Sequence, residues 1–248
     1  RITNGIPDDH FTRVVRADPK RKGLLYAGTE TGMYLSFDDG ANWQPFQLNL
    51  PIVPITDLAI KNDNLIAATQ GRSFWLIDDL TPLHQLNEAM ANNSVHLFQP
   101  MDSYRMGGGS RNSKTAGQNH PGGVMVHFFL KEVSDSSEVA LEFFEQNGSS
   151  IKKYSSTAKE RNKTLKVKDG LNRFVWNMRY EDAERFDGLI MWAARTSGPM
   201  AMPGNYKVNL TVDGQAMEAP FEILPDPRAT ASQADYQAQF DFLITVRD

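Results

Sequence analysis

Carboxylates, arginines and histidines are the groups in this sequence that could do chemistry, and their spacing decides whether they can act together. Asp38-Asp39 and Asp78-Asp79 are adjacent pairs. Neighbouring side chains on a strand point to opposite faces, so such a pair does not converge on one cation. Glu142 and Glu145 could be the two carboxylates that a glycosidase sets across a sugar. Their odd separation also puts them on opposite faces. Arg13, Arg16 and Arg72 could line one channel, yet no tyrosine and acids accompany them in a matching pattern. Arg72 is the best single candidate for a ligand-facing side chain, with a structural ion pair as its competing role. The histidines His10, His84, His96, His120 and His127 are scattered, with no H-E-x-x-H and no other ligand spacing. Gly71-Arg72-Ser73 runs into Phe74-Trp75 and is not a nucleophile elbow. Gly108 to Thr115 nearly spells a phosphate loop, but Ser113 stands where its last glycine should be. No strand feeds that loop and no helix follows it, and phosphate binding needs both. The expectation is therefore no catalytic set, no cofactor and no metal.

Composition narrows the partners. The chain has 248 residues, enough for two ordinary domains, with 26 basic against 30 acidic side chains and a net charge of −4. A nucleic-acid partner would call for a basic stripe, and none is present. Cysteine is absent, which removes disulfides and thiolate chemistry. No apolar run reaches the roughly 18–20 residues of a membrane span. The chain opens mid-pattern, without Met, and reads as a piece of something longer.

The elements that must position these residues are β-strands in a repeat. An offset of 40 pairs Leu25 with Leu65, Ala27 with Ala67, Thr29 with Thr69, Asp38 with Asp78 and Asp39 with Asp79. Each copy runs apolar strand, small polar turn, aromatic-rich strand, then Asp-Asp, and each is preceded by another apolar run (Phe11 to Val15; Ile55 to Ile60). A period of about 40 residues is that of a four-stranded propeller blade. In the first copy Ser36, Asp38, Gly40 and Trp43 match the pattern S-x-D-x-G-x-x-W. The side-chain oxygens suit a tight turn, glycine accepts positive φ, and tryptophan anchors the turn in a core.

On these residues the chain resembles the BNR (Asp-box) repeat family of sialidase-like and sortilin-like β-propellers. Gly71 to Asp79 resembles the closing blade of bacterial BNR-repeat proteins called glycosyl-hydrolase-like. The resemblance implies that Ser36, Asp38, Gly40 and Trp43 are a structural turn, remote from any active site. It also implies an extracytoplasmic setting, periplasmic or secreted. Residues 1–98 supply about two blades, so their open edges invite self-association.

Residues 99–122 lose periodicity and read as a linker. From 123 to 225 short strands return with turns between them, among them Val124 to Leu130, Val139 to Glu145 before Asn147-Gly148, and Tyr206 to Val212 before Asp213-Gly214. Leu171, Phe174, Trp176 and Met178 are expected to share a face after a small slip. About seven strands in 100 residues predict a sandwich. The order Gly-x-Asn-x-Phe-x-Trp, then Pro-Gly-x-Tyr-x-Val-x-Leu, resembles an Ig-like (FlgD-like) module, with Trp176 as the pin between the sheets. The loop 181–202 is acidic first (Glu181, Asp182, Glu184, Asp187), then apolar (Leu189-Ile190-Met191-Trp192). It reads as a connection that folds over the propeller and buries Trp192; a weak Ca²⁺ site or a mobile binding loop centred on Trp192 is the alternative. Residues 226–248 form a helical tail that reads as truncated, capped by Thr230 or Ser232, with Tyr236, Phe240 and Leu243 on its apolar stripe.

The expected fold is all-β: a partial propeller of about two blades, an Ig-like sandwich and a short C-terminal helix. The expected function is non-catalytic binding of protein or glycan ligands. The rival is an accessory part of a glycoside hydrolase, sialidase-like or polysaccharide-cleaving, whose catalytic residues lie in upstream blades.

Overall fold

Short β-branched and aromatic runs broken by glycine and asparagine turns make the chain all-β, with two helices among the described residues. The computed structural model describes residues 2–87, 90, 92–106, 117–134, 136–190, 192–193 and 195–248. It divides into two units, Arg1–Leu86 and Asn87–Asp248.

In the first unit each 40-residue copy is one antiparallel sheet. The first holds β1 (Thr12–Ala17), β2 (Leu25–Thr29), β3 (Met33–Ser36) and β4 (Gln44–Pro45), in that order. The second holds β5 (Ile55–Lys61), β6 (Asn64–Thr69) and β7 (Phe74–Ile77). The β5–β6 hairpin turns on Asn62 and Asp63, both with positive φ (50° and 61°), as a two-residue loop between right-twisted strands requires. Tyr26, Met33 and Leu35 of the first sheet share a buried core with Ile55, Leu58, Leu65 and Ala67 of the second. Gly28 lets the sheets approach: a Cβ there would lie 2.7 Å from the Ile55 side chain and 2.8 Å from that of Val14. On the first sheet's far side, Ile6, Ala27, Tyr34 and Trp43 form a smaller cluster. After β7 the chain turns into the short helix α1 (Thr81–Gln85), so the second sheet has no counterpart of β4.

The second unit has two sheets with one core between them. One runs β13 (Gly170–Trp176), β10 (Val124–Leu130), β8 (Val95–Leu97). The other runs β12 (Ser150–Ser155), β11 (Val139–Glu145), β14 (Gly204–Val212), β15 (Gln215–Pro225), β9 (Ser103–Arg105), with β9 parallel to β15. Trp176 is fully buried and stacks on Phe143 with centroids 4.4 Å apart, joining the sheets face to face. Helix α2 (Gln233–Arg247) starts at Ser232, whose hydroxyl and main chain exchange hydrogen bonds with Asp235.

Several local expectations shift. The division falls at 86/87 rather than after 98, because Val95–Leu97 pairs with β10. The segment read as a linker contributes β9, and its phosphate-loop look-alike lies outside the described residues except for its surroundings. On β13, Leu171 is exposed, and Asn172, Phe174 and Trp176 turn inward. Asn172 is tolerated inside because its amide closes the preceding turn through Lys168 and Gly170. The α2 stripe is Tyr236, Phe240 and Ile244, with Leu243 turned outward. At about 100° per residue Phe240 lies midway between Tyr236 and Ile244, so the core-facing stripe is centred on Phe240 and Leu243 falls on its outer side.

Candidate functional site

The Asp-box residues close on one another. The Ser36 hydroxyl donates to Asp38 Oδ1 (2.7 Å) and accepts from the Gly40 N–H (2.9 Å). Asp38 accepts further from the Asn42 N–H (2.8 Å) and the Asn42 amide (2.7 Å). Those donors, the Asn42 amide foremost, hold the Asp38 carboxyl down at about 2. Gly40 sits at φ 86°, where a side chain would be strained. Trp43 donates its indole N–H to the Ile2 carbonyl and is buried, so it ties the N-terminal segment to the sheet. Asp38 and Asp39 lie in this turn, beyond the end of β3, and not on a strand as expected. Asp39 takes positive φ (56°), which swings it away from its neighbour. All the acceptors of Asp38 are engaged by the turn itself.

A second constellation escaped the sequence. Asp18, its side chain wholly buried, accepts from the N–H groups of Lys20 (2.8 Å) and Arg21 (2.9 Å) and from the Tyr26 hydroxyl (3.0 Å). It also meets His84 Nε2 at 2.9 Å. Burial pushes the Asp18 carboxyl up, but the hydrogen bonds from Arg21, His84, Lys20 and Tyr26 outweigh it and hold the group below its ordinary value. Arg21 in turn lies over the Phe37 ring and donates to the Leu83 carbonyl. The cluster pins α1 and the β1–β2 connection together. Its members are 66 residues apart, with no motif to signal the pairing.

The arginines separate. Arg13 pairs with Glu30 (2.6 Å), and Arg16 with Asp57 (2.6 Å) and the Leu58 carbonyl. Arg72, in the turn before β7, is exposed, and its guanidinium has no partner among the described residues. Asp78, just after β7, likewise has no side-chain partner among the described residues, whereas Asp79 accepts from the Thr81 N–H at the start of α1 (2.8 Å).

In the second unit an open concavity of about 620 Å³ is bordered by Glu145, Asn147, Tyr180, Asn205, Tyr206 and Phe240. Tyr180 donates to Glu145 at 2.6 Å, and Tyr206 to the Met202 carbonyl at 2.9 Å. Burial, reinforced by Glu145, raises both phenols, Tyr206 to about 12. Both phenols are protonated at neutral pH and act as hydrogen-bond donors here. Glu142 meets Ser150 instead (2.6 Å), so it and Glu145 share no partner. At the start of the 181–202 loop, Glu181 and Asp182 face Lys152, and Glu181 also meets Lys163 (3.3 Å). Lysines therefore occupy two of the four carboxylates of the Ca²⁺ reading, Glu181 and Asp182. Trp192 is 100 % exposed, which corrects the expectation that it is buried. The loop is tied by its ends, through Ala183 to Thr196 and Arg185 to Thr196, and nothing packs on the indole. Among the described residues no group of three or more His, Cys, Asp or Glu could hold a metal ion. No described helix is long and apolar enough to cross a membrane.

No protein-family model matches the chain, and no curated protein does. Among solved structures it matches one described as the extracellular domain of a one-component system from B. thetaiotaomicron. The identity is 11%, the TM-score is 0.25, and the match covers 89% of this chain but 26% of the other. The chain thus spans about a quarter of the length of that protein's chain.

Proposed function

We propose that this chain is the non-catalytic C-terminal part of a BNR-repeat β-propeller protein. It carries an Ig-like module, works outside the cytoplasm and holds protein or glycan ligands. The observation that carries this reading is a free apolar face on the second sheet. Ile66, Phe74 and Leu76 occupy the places that Tyr26, Met33 and Leu35 occupy in the first sheet, by the matching β2–β3 and β6–β7 registers. In the first sheet that face is covered by the second sheet. In the second sheet it is open, with Phe74 75 % and Leu76 52 % exposed. A sheet that is covered on one copy and bare on the next is a stack built to continue, and a propeller ring takes four or more such sheets. The occupant of the face is another sheet of the same repeat. The non-catalytic part of the reading rests on the carboxylates: Asp38 is consumed by a turn, Asp18 by a buried clip, and Glu142 and Glu145 by separate partners.

The test is turnover. Aryl-glycosides of sialic acid, glucose and xylose are expected to remain intact with this chain. Hydrolysis that disappears in Glu142→Gln or Glu145→Gln overturns the reading. The stacking face is tested by the double substitution Phe74→Glu, Leu76→Lys. It should abolish binding of an apolar fluorescent dye without moving the unfolding midpoint. Collapse of the fold would mean that the face is already packed.

A further inference from the structure

The outer edge of the second sheet is complementary to itself. In the first sheet, β3 is covered by β4, with Tyr34 opposite Pro45 and Leu35 opposite Gln44. In the second sheet β7 is the last strand. Its residues Phe74 to Ile77 therefore leave one row of backbone N–H and C=O groups unpaired, on a strand that is apolar throughout. Such an edge is a template for another strand. The strand is flanked by Arg72 and Asp78, three residues to either side of Trp75, both charged and both without a partner among the described residues.

We propose that β7 pairs antiparallel with β7 of a second copy of this chain, about a two-fold axis through Trp75. In that register Trp75 faces Trp75 and Phe74 faces Leu76 within the strands; just beyond their ends, where Ser73 turns the chain with φ 66°, Arg72 comes opposite Asp78. Two opposite-charge pairs close the ends, and two aromatic–aliphatic pairs lie side by side on the exposed face, the pairings that stabilise neighbouring strands. The two three-stranded sheets become one six-stranded sheet. A residue-centred two-fold is an isologous contact, which closes at two copies and does not grow into a fibre. Parallel pairing gives neither charge match. A narrow slot of about 30 Å³, lined by Met33, Phe46, Leu50, Leu65, Ala67 and Trp75, borders β7. The contact is short, well under the area of a stable permanent interface, so the dimer is weak and concentration-dependent. The inference needs only the edge and its flanking charges, and stands independently of the propeller reading.

The experiment is sedimentation equilibrium from low-micromolar to millimolar chain, with charge reversals at exposed Arg72 and at half-buried Asp78. The unmodified chain should pass from monomer to dimer. Arg72→Glu alone and Asp78→Lys alone should each lower the association constant roughly tenfold, since each turns two attractions into two repulsions. Mixing the two variants should restore a heterodimer, and the double variant Arg72→Glu, Asp78→Lys should restore the homodimer. Backbone hydrogen exchange of residues 74–77 should slow as concentration rises. A chain that stays monomeric throughout overturns the proposal. So does a dimer indifferent to both reversals, or one whose exchange protection lies in the second unit.

Discussion

Replacing Asp18 by alanine tests whether the buried clip holds the first unit together. The side chain is fully buried and accepts from four donors. Its removal strands the Tyr26 hydroxyl, on a residue with no solvent exposure, at a cost of about 1–3 kcal/mol. The Lys20 and Arg21 N–H groups each lose a charged acceptor, for about 0.5–1.5 kcal/mol apiece when water partly replaces it. The expected loss is about 3–5 kcal/mol, in line with breaking other buried charged networks. Against a typical domain stability of about 5–15 kcal/mol this is roughly a fifth or more. Asp18→Asn keeps one acceptor oxygen toward the two N–H groups and should cost less, about 1–2 kcal/mol. Urea unfolding followed by hydrogen exchange separates the units: β2 reports the first and β11 the second. Only β2 should be affected. The Asp18 carboxyl is held below its ordinary 3.8. Its contribution is therefore complete above that value and is lost as pH falls through the folded-state titration. The gap between Asp18 and Asp18→Asn should narrow accordingly below about pH 4. A loss under about 1 kcal/mol, or equal losses in both units, would refute the clip as described.

Asp38, held at about 2, makes the same kind of contribution. Its turn should be intact above about pH 4 and loosen toward pH 2, read as faster exchange at Gly40 and Asn42 that Asp38→Asn shows already at neutral pH. Trp176→Ala should cost the second unit about 3–5 kcal/mol, since it removes the ring stacked on Phe143, and should leave exchange in β2 untouched. Phe240→Ala removes the ring that meets Tyr180 at 4.8 Å and should expose α2 to exchange before the strands open. Trp192→Ala should leave the unfolding midpoint unchanged, because the side chain is fully exposed; a clear drop would show that the indole is packed.

What the amino-acid sequence determined by itself was local. Alternating apolar residues, Asn-Gly and Asp-Gly turns and the 40-residue offset specify short antiparallel strands, because period-two burial and turn stereochemistry act over a few residues. Ser36, Asp38 and Gly40 likewise announce their turn, since the bonds that Ser36 and Asp38 make to Gly40 and Asn42 lie within seven positions. Helix α2 was legible from its cap, though one residue of its stripe was not. Tertiary structure alone decided the rest. Asp18, Tyr26 and His84 meet only when β1, β2 and α1 are packed, and a buried carboxylate among donors has no signature along the chain. Residues 95–97 carry strand-like letters but join the second unit only because β10 offers an edge. Trp192 shows the converse: an aromatic residue in an apolar run predicts burial, yet burial requires a surface to meet, and the loop supplies none. Arg72 stood out as a charged residue beside an aromatic strand. The role proposed for it rests on what no local pattern records, that β7 ends its sheet and that Asp78, at the other end, has no side-chain partner among the described residues.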